Sequence, residues 1–311
     1  MYSSIILETL IPDSLPGAAL FLKHGPKHVL YKGPNLPFTE RDKQRLAYGN
    51  VQRLYVYSSE ISYYNKYVEA NLSQLLANED ISIYKRQEIL CQASISYVQE
   101  IFDAPAISIR HSFDRCNNLI RYILSDIFTP QQILSTLGNL IKHNCYTYVH
   151  SIQVTSYMAS LFKVMNETED IITDIALGAI FHDYGKVYVP RTILDNPYKL
   201  SAKEFAEIKT HSDRGHYALY DLVILNPVSL DIIRHHHEKI DGTGYPDGLS
   251  DEISKYARIA SISDAFSALT TNRSYRKALP KEEALDIMYN QMKGAFDAFY
   301  LSMFASMLDE G

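Results

Sequence analysis

RHHHEKIDGTGYPDGL (residues 234–249) places three consecutive histidines and a glutamate beside a helically periodic stretch, and a turn follows them. Glycine permits positive φ and proline holds φ at roughly −65°, so Gly242, Gly244 and Pro246 predict a tight loop directly after the histidines. Four further elements lie outward from this stretch: YTYVHSIQV (146–154), IFHDYGK (180–186), EIKTHSDRG (207–215) and IASISDAFSAL (259–269). They contribute His150, His182 with Asp183, His211, and Asp264, each in or beside a segment with helical spacing of its apolar residues. Most of the 11 histidines fall between His143 and His237.

Each element has an ordinary reading of its own. A lone helical histidine is usually a core or surface residue, a His-Asp pair arises often by chance, and a histidine run before a glutamate can be a polar helix end. Five such elements together point to divalent metal chemistry, since imidazole and carboxylate suit iron, manganese or zinc. Adjacent residues on a helix point about 100° apart. His182 and Asp183 therefore do not cover one apolar face, but they can contact one metal while the carboxylate reaches a second. One shared side chain is what a two-metal centre, with ions roughly 4 Å apart, requires.

Composition narrows the function classes. The chain has 311 residues, 46% hydrophobic and 21% charged, enough for more than one globular unit. A net charge of −6 argues against a binder of duplex nucleic acid, which would present a basic face. Cys91, Cys116 and Cys145 have no CxxC spacing, which argues against a disulfide framework or a thiolate zinc site and favours three buried or idle thiols of a reducing compartment. No basic region precedes a long apolar run, and no run approaches the ~20 residues that span a bilayer. The expectation is a soluble, cytoplasmic protein without a membrane span.

The first part of the chain is punctuated differently. Short apolar runs at 3–9, 18–23, 28–31 and 53–58 are separated by Pro12, Pro16, Gly25-Pro26 and Gly33-Pro34, a strand-and-turn pattern. Thr39 with Asp42 predicts a helix N-cap, and Gly49 or Asn50 its stop. Ile61, Tyr64, Tyr67 and Val68 recur at helical spacing. Three regions are expected: a small α+β domain over 1–65, a helical linker over 66–128, and a mainly α domain over 129–311. Within the last, Ile133, Leu134, Leu137, Leu140 and Ile141 form one stripe, Ser201 with Glu204 predicts a capping box, and Pro280 with Glu282 and Glu283 a helix start.

The order and spacing of the five elements resemble the HD-GYP subgroup of the HD metal-dependent phosphohydrolases. The specific part is His236-His237-Glu238, then Asp241-Gly242, then Gly244-Tyr245-Pro246; Gly185-Lys186, Val189-Pro190 and Asn272-Arg273-Ser274-Tyr275-Arg276 add to it. The resemblance runs from about residue 140 to 285. It implies a helical-bundle HD-type catalytic domain with a phosphodiesterase centre whose substrate is cyclic di-GMP. Carried over, His150, His182, Asp183 and Asp264 surround one divalent ion, and Asp183, His211, His236 and His237 the other. Iron comes first as the metal, with manganese or zinc as alternatives. Asp183 has the catalytic bridging role and Lys186 meets a phosphate oxygen. Arg273 and Arg276 approach the substrate, and Tyr245 touches substrate or a partner. Glu238 and Asp241 support the histidines or fix the loop. Tyr146 stands where some relatives carry a glutamate for a third ion, so two are expected.

His216 and His235 fall outside the pattern and are read as structural. Ser267 departs from a usual aspartate, Tyr184 from a small aliphatic residue, Tyr188 from glycine and Asn144 from aspartate, while Ile152 and Gln153 replace charged residues. Two other readings stay open: a catalytically weak or silent cyclic dinucleotide sensor, and an HD-type hydrolase of another nucleotide. A diguanylate cyclase or other signalling protein is the expected partner, through the Gly-Tyr-Pro loop or the N-terminal domain.

Overall fold

The structure, a computed structural model, describes residues 1–104, 106–124, 146–272 and 277–309. The stripe Ile133–Ile141, the departure at Asn144, Cys145, and both Arg273 and Arg276 lie outside the described residues. The chain divides into two compact units, Met1–Ser96 and Tyr97–Gly311.

In the first unit, β1 (Tyr2–Ile6), β2 (Leu20–His24), β3 (Lys27–Lys32) and β4 (Arg53–Tyr57) form an antiparallel sheet of order β1-β4-β2-β3. The period of two decides its faces: Leu54 and Val56 are buried, while Arg53 and Tyr57 face solvent. Between β3 and β4, α1 (Glu40–Tyr48) begins at a full capping box: the Thr39 hydroxyl accepts from the Asp42 amide and the Asp42 carboxylate accepts from that of Thr39. Gly49 caps its end and Asn50 follows at φ 49°, the left-handed region that asparagine tolerates. Then come α2 (Ile61–Ala70), burying Tyr64 and Val68, α3 (Leu72–Ala77), and α4 (Ile83–Asp103), whose last residues enter the second unit.

The second unit is helical. Its elements are α5 (Ala106–Leu124), α6 (Tyr146–Val164), α7 (Glu169–Phe181), α8 (Arg191–Leu194), α9 (Ala202–Lys209), α10 (His211–Tyr220), α11 (Pro227–His235), α12 (Lys255–Thr270), α13 (Lys281–Asp286) and α14 (Ala298–Asp309). From Ile175 to Phe181 every residue of α7 is buried, so this helix is the axis around which the others pack. Tyr157, Phe266 and Phe304 form an edge-to-face aromatic set joining α6, α12 and α14, with ring centroids 5.2–5.7 Å apart. The helix starts are local in origin. Thr168 caps α7, Ser201 with Glu204 forms the capping box of α9, Asn226 caps α11 with Pro227 behind it, and Ser254 caps α12.

The helix expected at Pro280 is short. α13 ends at Asp286 and gives way to a π-helical turn, Ile287–Gln291. None of the described helices is long and apolar enough to cross a membrane. Truncating Phe304, which is fully buried against Tyr157 and Phe266, leaves a cavity between three helices. Phe304→Ala is expected to cost about 3–5 kcal/mol in denaturant unfolding followed by helical signal.

Candidate metal centre

The five histidine and aspartate elements of the sequence converge at one end of α7. His182 caps that helix, and Asp183 is already outside it, leading a 3-10 turn over Tyr184–Tyr188. The helix therefore ends before Lys186. The Asp183–Lys186 pair survives, because residues three apart eclipse in a 3-10 turn. The Lys186 ammonium lies 2.5 Å from Asp183 Oδ2.

Gly185 lets this turn press against the start of α10. A Cβ there would come within 1.8 Å of the His211 carbonyl oxygen and 2.6 Å of the Gly215 nitrogen. That backbone contact sets Asp183 beside His211, with 3.3 Å between Oδ1 and Nε2.

Two ligand-like groups result, one of His150, His182 and Asp264, the other of Asp183, His211, His236 and His237; the donor atoms within each lie within 4.8 Å of one another. In the first, His150 Nε2 is 2.9 Å from Asp264 Oδ1 and 3.3 Å from His182 Nε2. In the second, His211 Nε2 is 3.2 Å from His236 Nε2. Asp183 faces both. Its Oδ2 lies 3.5 Å from His182 and 3.8 Å from His150, while its Oδ1 faces His211. Asp264 behaves similarly, with Oδ1 toward His150 and Oδ2 3.6 Å from His237 Nδ1.

The rings are aimed by their other nitrogens. His182 Nδ1 donates to the Ala179 carbonyl at 2.7 Å, His211 Nδ1 to that of Ile208 at 2.8 Å, and His236 Nδ1 to that of Ile233 at 3.0 Å. Backbone carbonyls only accept, so each Nδ1 carries the proton and each Nε2 offers a lone pair to the centre.

His150 reaches the same state through side chains. Gln153 Oε1 accepts from both Ser267 Oγ at 2.7 Å and Thr271 Oγ1 at 2.6 Å. With its proton committed there, Ser267 accepts from His150 Nδ1 at 2.8 Å. Two of the sequence's departures, Gln153 and Ser267, thus meet as one buried network behind His150.

Protonation matches these roles. Burial opposes charge on Asp183, but Lys186 and His182 outweigh it and hold the carboxyl well below its usual range. Burial likewise opposes ionisation of Asp264, and the histidines around it, His150 first, overcome that opposition. Burial leads in pushing His150 and His236 down, and brings His237 to about 3. For His182 burial acts downward too, but Asp183 beside it wins and raises the ring. Ionised carboxylates among mostly neutral imidazoles are the donor states that divalent cations take. The residues present fit a metal centre.

The loop after His237 is held from below. Glu238, 2% exposed, accepts from the amides of Asp247, Gly248 and Leu249 at 2.7, 3.1 and 3.0 Å. Asp241 has a different place, accepting from the amide and hydroxyl of Thr243 at the exposed turn. His235 joins Asp231 and Asp247 through its two ring nitrogens, at 2.7 and 3.0 Å. His216 faces the Leu230 carbonyl.

Tyr245, half-buried, packs its ring 4.6 Å from that of His237, and burial leads in raising its hydroxyl pKa. Tyr184 turns away from the ligands and is buried against Phe102, Phe181 and Tyr188. Tyr188 is 43% exposed. The side chain of Tyr146 lies outside the described residues.

A profile of the HD domain family matches residues 122–299, more than half of the chain. The chain belongs to the HD domain family. It is 34% identical over 214 residues to a cyclic di-GMP phosphodiesterase of Pseudomonas aeruginosa, covering 67% of this chain and 50% of that protein. It is also 34% identical over 167 residues to 3'3'-cGAMP-specific phosphodiesterase 3 of Vibrio cholerae, covering 53% of this chain and 36% of that one. This HD protein thus spans half or less of these relatives. Among solved structures, the HDG"Y"P protein Bd1817 of Bdellovibrio bacteriovorus superposes with a TM-score of 0.69 over 99% of this chain and 100% of its own, at 22% identity, which extends the shared fold beyond the HD region.

Two substitutions test the supporting networks. Ser267→Ala leaves the His150 Nδ1 proton facing a methyl group, and is expected to cost ~1–3 kcal/mol in unfolding of metal-free protein. Combined with Gln153→Leu it should cost less than the two single changes together, because both belong to one network. Glu238→Gln places an amide donor against backbone donors. Hydrogen exchange at Asp247, Gly248 and Leu249 should then accelerate by roughly ten-fold or more, as expected when a buried charged hydrogen bond is lost.

Proposed function

We propose that this HD protein is a metal-dependent phosphodiesterase that hydrolyses cyclic di-GMP. The observation that carries the reading is the division of Asp183, whose two oxygens face different histidine groups. His150, His182 and Asp264 with Asp183 would hold one divalent ion, and His211, His236 and His237 with Asp183 the other. Iron is proposed as the metal, with manganese or zinc as alternatives, since a set of nitrogen and oxygen donors suits all three. Bound divalent ions supply Lewis acidity, polarising a phosphoryl group and lowering the pKa of water at neutral pH.

The chain's own residues do the rest. The committed Nδ1 protons keep four imidazoles aimed without reorganisation during turnover. Asp183 and Asp264 stay ionised in a buried setting, the negative charge that would hold divalent cations there. Lys186, about one-quarter exposed beside Asp183, presents an ammonium that donates to a non-bridging phosphate oxygen. Arg273 and Arg276 are proposed as further contacts to phosphate or guanine, and Tyr245 as a wall of the substrate cleft. The N-terminal residues 1–65 are proposed to regulate or dock, with a signalling protein such as a diguanylate cyclase as the partner. The names of the two relatives, one acting on cyclic di-GMP and one on 3'3'-cGAMP, support a cyclic dinucleotide as the substrate class.

The test separates metal binding from catalysis. Elemental analysis of protein prepared without chelator should find close to two ions per chain. Asp183→Asn should abolish both metal content and turnover, because an amide bridges cations poorly. Lys186→Ala should keep the metal and lower kcat/KM for cyclic di-GMP roughly ten- to a hundred-fold, the range for a charged hydrogen bond of ~1.5–3 kcal/mol. Full metal content in Asp183→Asn overturns the bridge, and full activity in Lys186→Ala overturns the phosphate contact.

A further inference from the structure

Lys209 ends α9, two residues before His211. Its ammonium lies 5.1 Å over the ring centroid of Phe205 and 5.1 Å over that of Tyr245. Tyr245 in turn lies 4.6 Å from His237. The ammonium and the second histidine group therefore share Tyr245 as a neighbour. Phe205 is 48% exposed, so the far side of this stack opens to solvent.

The charge there is unbalanced. Lys186 is paired to Asp183, whereas among the described residues Lys209 has no carboxylate within 4.0 Å. Two ring faces attract an ammonium without using its three N–H donors as a carboxylate would. A half-buried lysine held in this way, at the rim of a site in a chain of net charge −6, is prepared for an anion from solution.

Resting on the cyclic dinucleotide reading above, we infer that Lys209 binds the substrate's second, non-reacting phosphate. A cyclic dinucleotide carries two phosphodiesters. With one at the histidine cluster beside Lys186, the other requires a cation displaced to one side. Lys209 supplies it, and Tyr245 adjoins both positions. The residue is then a specificity element: it favours cyclic dinucleotides over phosphodiesters with a single phosphate, and it leaves the chemical step untouched.

The experiment compares wild type, Lys209→Met and Lys209→Arg as metal-loaded protein of all 311 residues. Methionine keeps an unbranched stem between the two rings but removes the charge. The readouts are metal content, kcat and KM for cyclic di-GMP, hydrolysis of bis(p-nitrophenyl) phosphate, and equilibrium binding of cyclic di-GMP. Lys209→Met should raise KM and Kd for cyclic di-GMP roughly ten- to a hundred-fold. Its kcat, its metal content and its rate on the single-phosphate ester should stay unchanged, and arginine should restore most of the binding. Equal losses on both substrates, lost metal, or an unchanged KM would each overturn the assignment. If wild type binds cyclic di-GMP without cleaving it, the hydrolase reading fails, while weaker binding by Lys209→Met still upholds Lys209. If wild type cleaves only the single-phosphate ester and binds no cyclic di-GMP, both readings fall.

Discussion

A carboxylate at the end of a buried helix governs this structure. The Asp183 side chain is 2% exposed and remains ionised, a state that a low-dielectric interior opposes unless cationic or hydrogen-bonding groups surround it. Those groups come from separate segments: His182 and Lys186 from its own turn, His211 from α10 and His150 from α6. The segments must therefore converge on the tip of α7. The all-round burial of that helix fixes where the tip lies, so the hydrophobic core and the polar centre are one construction problem. The core positions the carboxylate, and the carboxylate gives the surrounding helices their polar destination.

The ligand-like residues were legible because their chemistry is unusual in composition and regular in spacing. His150, His182, Asp183, His211, His236, His237 and Asp264 all fall into the two groups that the fold assembles. Helix starts at Thr39 and Ser201 were legible for a similar reason, since a capping box is a local code that needs no tertiary partner. The end of α7 was not. Only the packing of Gly185 against α10 shows why the backbone tightens after His182. Lys209 gave no signal either: its two aromatic neighbours lie four residues before it and 36 residues after it, and the second comes close only through folding.

The departures at Gln153 and Ser267 read in sequence as losses of charge. In three dimensions they are partners, 114 residues apart and 2.7 Å from one another. A neutral glutamine that accepts from two hydroxyls gives His150 the same orientation that main-chain carbonyls give His182, His211 and His236. Position-by-position reading cannot see such an exchange, because the compensation lies between helices α6 and α12. Glu238 is the contrasting case. It keeps its charge, but spends it on three amides of the following loop, so its role is architectural although it adjoins two histidines.

The contact between Gly185 and the first turn of α10 sets the bite between Asp183 and His211 with peptide atoms alone. Side chains next to that contact are released from holding the ligands in place. Tyr188, 43% exposed at the end of the glycine's turn, can then differ in bulk and polarity while the donor spacing stays constant. Diversification at this centre is thereby channelled into its walls and entrances, and a lineage can retune what reaches the metal-binding groups without rebuilding them.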